Sequence, residues 1–99
     1  MRYRNLIYCK HRPEADRRAY LYELPVDRDV QPGDRLYVRD RRGEHIVTAF
    51  CENWLASEKM TKVLCEANGG YFPPAEVIGT VGVVSIRQDV VYRFEEKEE

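Results

Sequence analysis

Long apolar runs are missing from this chain. The most apolar stretch, Val77 to Ile86, is broken by Gly79, Thr80, Gly82 and Ser85, whereas a helix crossing a bilayer needs about 20 apolar residues. No membrane span is expected. The first residues, MRYRNLIYCKH, put charges on both sides of a short apolar patch and offer no small-residue cleavage site, so no secretory leader is read there and a cytoplasmic location is the expectation. Cysteine is scarce and odd in number. Cys9, Cys51 and Cys65 are too widely separated for a disulfide framework or for C-x-x-C knuckles, and they read as reduced, mostly buried thiols. A zinc site can be drawn from Cys9, His11, Cys51 and Cys65, but structural zinc sites normally show two closely spaced ligand pairs. No metal and no cofactor are expected.

Catalytic frames are lacking too. There are only two histidines, His11 in a charged loop and His45 beside a hairpin turn, and no nucleophile stands in a recognisable frame with either. No G-x-S-x-G, G-x-x-x-x-G-K-[ST], H-E-x-x-H or G-x-G-x-x-G occurs. Gly79-Thr80-Val81-Gly82 lies inside a valine-rich run and reads as a strand bend, not a phosphate loop. The chain is therefore expected not to be an enzyme, with no catalytic residue assigned. A large net charge is absent as well: the formal value is -1. Setting aside residues 95–99, the acidic EEKEE, reverses the sign and leaves a slightly basic body. That tail is too acidic to pack and is expected to be disordered.

What is present is an ordinary globular balance, 43% hydrophobic and 33% charged over 99 residues, enough for one core and one domain over residues 1–94. Strand signals dominate the first half: residues 2–9, then 19–24 with a period of two. Pro32-Gly33 sets a turn into a strand over Arg35–Arg39. Asp40-Arg41-Arg42-Gly43 closes a hairpin onto a return strand, Glu44 to Cys51. On that strand both Ile46/Thr48/Phe50 and Val47/Ala49/Cys51 are plausible core faces. Ser57 is an N-cap with Glu58 in the first turn, and Met60, Val63, Leu64 and Ala67 form one apolar stripe, predicting a helix over 57–67 that ends at Asn68-Gly69-Gly70. Pro73-Pro74 leads into a long strand over 75–86, with Gly79 and Gly82 marking a bulge or bend. Arg87-Gln88-Asp89 then turns into a strand at Val90–Phe94. The order is β-β-β-β-α-β-β. One helix is too few for parallel crossovers, so the fold class is α+β, mainly β: a small bent antiparallel barrel of the SH3-like or OB-like kind.

The arginines carry the functional signal. Arg35, Tyr37 and Arg39 share one strand face, and Arg41 and Arg42 sit at the hairpin tip. Arg2, Arg4, Lys10, Arg12, Arg17 and Arg18 add positive charge against only Glu14 and Asp16. Guanidinium groups pair with phosphates and stack on bases, and exposed tyrosines give bases a platform. Arg35, Tyr37, Arg39, Arg41 and Arg42 are thus the candidate site for weak single-stranded nucleic-acid binding. An ordinary solvated strand face with cross-strand partners accounts for the same residues. The alternative is a protein-interaction or self-associating module, with Trp54, Tyr71 and Phe72 as an exposed patch for a partner or a second copy.

Tyr22 to Pro25 at a strand end, then Val30-Gln31-Pro32-Gly33-Asp34-Arg35-Leu36-Tyr37-Val38 and a glycine-turned hairpin, resemble the amino-terminal barrel of the primosomal helicase PriA family. The resemblance implies binding to a DNA 3′ end. The same pattern is similar to small uncharacterised proteins of phages and mobile elements, which implies an accessory role and no particular activity.

Overall fold

The computed structural model describes residues 2–85 and 88–95. Eight elements run in order: β1 (Tyr3–Lys10), β2 (Tyr20–Leu24), β3 (Arg35–Asp40), β4 (Gly43–Ala49), β5 (Trp54–Ser57), α1 (Glu58–Ala67), β6 (Ala75–Ser85) and β7 (Gln88–Arg93). The expected turn at Arg87 and the acidic tail beyond Glu95 lie outside the described residues.

Five strands close a barrel in the order β2-β1-β4-β3-β6, with β6 returning to β2. This is the small, mainly β barrel expected from the sequence. The pairings are antiparallel except at the closing seam, where Tyr22 and Glu23 run parallel to Ala75 and Glu76. β5 pairs with β1 and β7 with β6, outside the ring. β5 is an addition to the expected order: Trp54-Leu55-Ala56-Ser57 is too short to read as a strand by periodicity, yet it pairs with Tyr3–Leu6.

Strand alternation sorts the side chains into two packed layers. Ile7, Cys9, Tyr22, Leu24, Leu36, Val38, Val47, Ala49 and Val77 fill the barrel interior. Leu6, Leu21, Ala56 and Cys65 form a second cluster between the barrel wall and α1, with Tyr8, Trp54 and Leu64 packed against it. This settles the face of β4. Val47 and Ala49 point inward and Phe50 is exposed.

The helix begins as expected, with Ser57 Oγ accepting from the Met60 N–H, and ends in Gly69 and Gly70, both at positive φ. Its buried face is not the expected one. Thr61 and Cys65 are buried while Met60 and Val63 are 50% and 54% exposed. Small residues at i and i+4 let the helix lie close on Leu6, Leu21 and Ala56. The rotation is fixed at the first turn, where Thr61 Oγ1 donates to the Ser57 carbonyl and Glu58 binds Arg4.

Arg4 is the tie between these layers. Its guanidinium reaches Glu23 on β2 at 2.7 Å and Glu58 on α1 at 3.0 Å, and its Cζ lies 5.0 Å from the Phe72 ring centroid. Only 11% of its side chain is accessible. An Arg4→Ala chain should lose about 2 kcal/mol of stability, less than a fully buried pair because Glu23 and Glu58 retain access to water. Urea unfolding of the two chains measures it.

β6 bends where its glycines lie. Tyr37 pairs with Gly79 but Val38 with Val77, so Ile78 is the extra residue of a bulge.

Candidate functional site

The inward alternation that builds the core continues past its last apolar layer. After Ile7 and Cys9 comes His11; after Leu36 and Val38 comes Asp40; before Val47 and Ala49 comes His45. At one mouth of the barrel Tyr22 meets His11 and Asp40, and His45 joins them through Asp40. The Tyr22 hydroxyl donates to Asp40 Oδ2 at 3.1 Å and lies 3.4 Å from His11 Nε2. His45 Nε2 is 2.6 Å from the same Asp40 oxygen. The two imidazoles stack, with centroids 4.7 Å apart and planes 13° from parallel. The Tyr20 ring meets His11 edge-on at 5.2 Å.

Asp40 therefore serves several groups at once. Its Oδ1 accepts the Arg42 N–H at 2.8 Å, which shapes the hairpin tip, while Gly43 closes the turn at φ +104°. Burial, with the nearby Asp40 carboxylate second, pushes the Tyr22 phenol above its ordinary pKa, so it remains a proton donor. Burial, the His45 ring and the Arg42 charge together lower the pKa of His11, favouring its neutral form.

This mouth opens into a cleft of about 740 Å³. One wall is the β3–β4 hairpin with Arg39, Arg41 and Arg42; the opposite wall is the segment after α1, with Asn68, Tyr71, Pro73 and Pro74. The Arg41 guanidinium lies over the Tyr71 ring, 4.3 Å from its centroid. Both hairpin-tip arginines and Tyr71 are exposed.

The five Arg/Tyr residues read from the sequence are thus divided. Arg35 makes a bidentate pair with Asp89, at 2.7 and 2.8 Å. Tyr37 donates to Glu44, which also binds Arg39 at 3.3 Å and Arg93. On that outer face of β3 the two carboxylates of Asp89 and Glu44 are each engaged, and they offset most of the charge of Arg35, Arg39 and Arg93, as cross-strand pairing allows. Arg41 and Arg42 belong to the cleft, and Arg39 stands between the two settings.

Of the patch read from Trp54, Tyr71 and Phe72, Tyr71 and Phe72 are exposed and Trp54 is not. Trp54 is half-buried and stacks on Tyr8 at 5.4 Å. The Phe72 ring has two cations close to it, with Arg4 Cζ 5.0 Å and Lys62 Nζ 5.2 Å from its centroid. Tyr71 faces the cleft.

The drawn zinc set is likewise dispersed. Cys9 and Cys51 belong with the barrel core, whereas Cys65 lies in the layer under α1. Burial, with Cys51 nearby, pushes the Cys9 thiol up to about 12, which leaves it protonated at neutral pH.

Sequence alone does not assemble His11, Tyr22, Asp40 and His45, because they belong to a loop, a strand and a hairpin far apart in the chain. Continuing the inward parity of each strand by one place brings them together, and that depends on the face of β4, which the sequence leaves open.

Among the described residues, no helix is long and apolar enough to cross a membrane. Comparison with protein-family models, curated proteins and solved structures finds no match to this chain.

Proposed function

We propose that the cleft at the barrel mouth binds single-stranded nucleic acid, with Arg41 and Arg42 on backbone phosphates and the Tyr71 ring as a stacking platform. The observation that carries this is the convergence of two exposed guanidinium groups from one wall and one exposed aromatic ring from the opposite wall on a single cleft, beside a mouth lined by His11 and Tyr20. Phosphate pairing supplies affinity that every sequence shares, and stacking adds tolerance of any base. Arg35, Tyr37 and Arg39 contribute less, because Asp89 and Glu44 already engage them. The resemblance of residues 22–43 to the PriA-type barrel supports the same ligand class. No bond is broken: the protein acts as a binding module, in keeping with an accessory role in a phage or mobile element.

Fluorescence anisotropy with a labelled single-stranded 12-mer tests this. Arg41→Glu combined with Arg42→Glu should weaken binding about tenfold or more, and Tyr71→Ala about fivefold or more, since one stacked base contributes roughly 1–3 kcal/mol. Arg35→Ala should leave the affinity within about twofold. The logarithmic salt slope should be about −0.7 per phosphate contacted. Binding indifferent to salt and to the hairpin-tip arginines would sink the proposal.

A further inference from the structure

The barrel mouth holds a second capability that does not depend on strand binding. We propose that His11, Asp40 and His45 form a site for one divalent transition-metal ion of the zinc class. The potential donor atoms of these three residues all lie within 4.8 Å of one another. A zinc ion makes bonds of about 2.0–2.2 Å to imidazole nitrogen and carboxylate oxygen, which places neighbouring tetrahedral ligands about 3.3 Å apart. The 2.6 Å contact between His45 and Asp40 must open by about 0.7 Å to reach that spacing, and His11 must draw in. The two rings, stacked 13° from parallel, must also turn out of the stack so that both aim an in-plane nitrogen at the ion, a rotation about the side-chain torsions that leaves the strands in place.

The donor chemistry selects the ion. Two imidazoles with one carboxylate suit zinc, copper and nickel, whereas magnesium and calcium prefer an all-oxygen shell. The ligands come from three separate segments, the end of β1, the end of β3 and the start of β4. Barrel closure brings them together, so no loop has to fold around the ion. The carboxylate is already oriented by two donors, the Tyr22 hydroxyl and the Arg42 N–H, which is the kind of outer support that fixes metal-ligating groups. Three protein ligands leave one tetrahedral position. His11 and Asp40 line the cleft, so water or an anionic oxygen drawn in by the exposed Arg42 can take that position.

The test uses the full chain, freed of metal with chelator and dialysed, with zinc chloride and cobalt chloride as probes and no nucleic acid present. Native mass spectrometry and calorimetric titration should show one zinc ion per chain. His11→Gln and His45→Gln should each weaken uptake about tenfold or more, Tyr22→Phe about tenfold through loss of support to Asp40, and Cys51→Ser not at all. Cobalt added to the unaltered chain should give visible bands without the intense near-ultraviolet charge transfer of a thiolate ligand, which answers the question even if a variant fails to fold. Failure of the unaltered chain to take up zinc overturns the assignment. So does a thiolate signature, or undiminished uptake by a folded double variant lacking both histidines.

Discussion

Asn5→Ala is expected to cost about 3 kcal/mol, a large share of the stability of a domain this size. Asn5 is fully buried at the end of the barrel opposite the histidine cluster. Its amide donates to the Pro25 carbonyl at 2.9 Å and the Arg28 carbonyl at 2.7 Å, and its oxygen accepts from Asn53 Nδ2 at 2.8 Å. Asn53 Oδ1 then accepts the Val30 N–H at 2.8 Å. One side chain thus pins residues 25–30 beneath the barrel and places Val30 in the core. Truncation removes three hydrogen bonds at one buried site, roughly 1 kcal/mol each, while the Pro25 carbonyl keeps the Arg28 N–H and the Arg28 carbonyl keeps the Asn53 amide at 3.2 Å. The sum is held down because Arg28 lies at the surface and its carbonyl can rehydrate. Asn5→Asp should be worse, since a carboxylate offers only acceptors where the two carbonyls need a donor. Asn53→Ala should cost less, about 1–2 kcal/mol, because Asn53 is only half-buried. Urea unfolding of the three variants gives the order directly, and an Asn5→Ala cost below about 1 kcal/mol would contradict the role assigned to it.

Gly79→Ala is the second large effect, and its value lies in the contrast with Gly82→Ala on the same strand. A Cβ at Gly79 would stand 2.6 Å from the Tyr92 carbonyl oxygen and 3.1 Å from Arg93 Cα. Those are backbone atoms of β7, so relief requires the strand itself to shift. A Cβ at Gly82 would meet the Tyr92 ring at 2.8 Å, and that ring is 56% exposed and free to swing away. The same substitution should therefore cost about 2–3 kcal/mol at position 79 and less than about 1 kcal/mol at position 82. Amide hydrogen exchange should show β7 released first in Gly79→Ala. Equal losses at the two positions would mean that close approach of β7 is not what requires glycine at position 79.

The barrel was legible in the sequence because its signals are local. Pro32-Gly33, Asp40 to Gly43 and the alternation of Leu36 and Val38 each encode a turn or a strand without help from distant residues. The helix boundaries were legible for the same reason, through Ser57 and Asn68-Gly69-Gly70. Its buried face was not, because hydrophobicity ranks Met60 and Val63 above Thr61 and Cys65, whereas close approach to Leu6 and Ala56 rewards small side chains. β5 escaped notice because its pairing with Tyr3–Leu6 is a non-local event in a four-residue segment. The candidate site was half visible. Arg41 and Arg42 stood out by charge, but what separates them from Arg35 and Arg39 is the position of Asp89 and Glu44, which depends on strand neighbours far apart in sequence. The polar mouth is the extreme case, since His11, Tyr22, Asp40 and His45 become neighbours only when five strands close.

The proposed binding surface is the cleft between the β3–β4 hairpin and the segment after α1, and not the outer face of β3. Amide chemical-shift perturbation during titration with a single-stranded oligonucleotide tests it most directly. Perturbations should concentrate at residues 11, 20–22, 39–45 and 68–75, and the amides of residues 35–37 and 89–93 should stay nearly still. Perturbation centred on residues 35–37 and 89–93, or none at all at saturating oligonucleotide, would contradict the account.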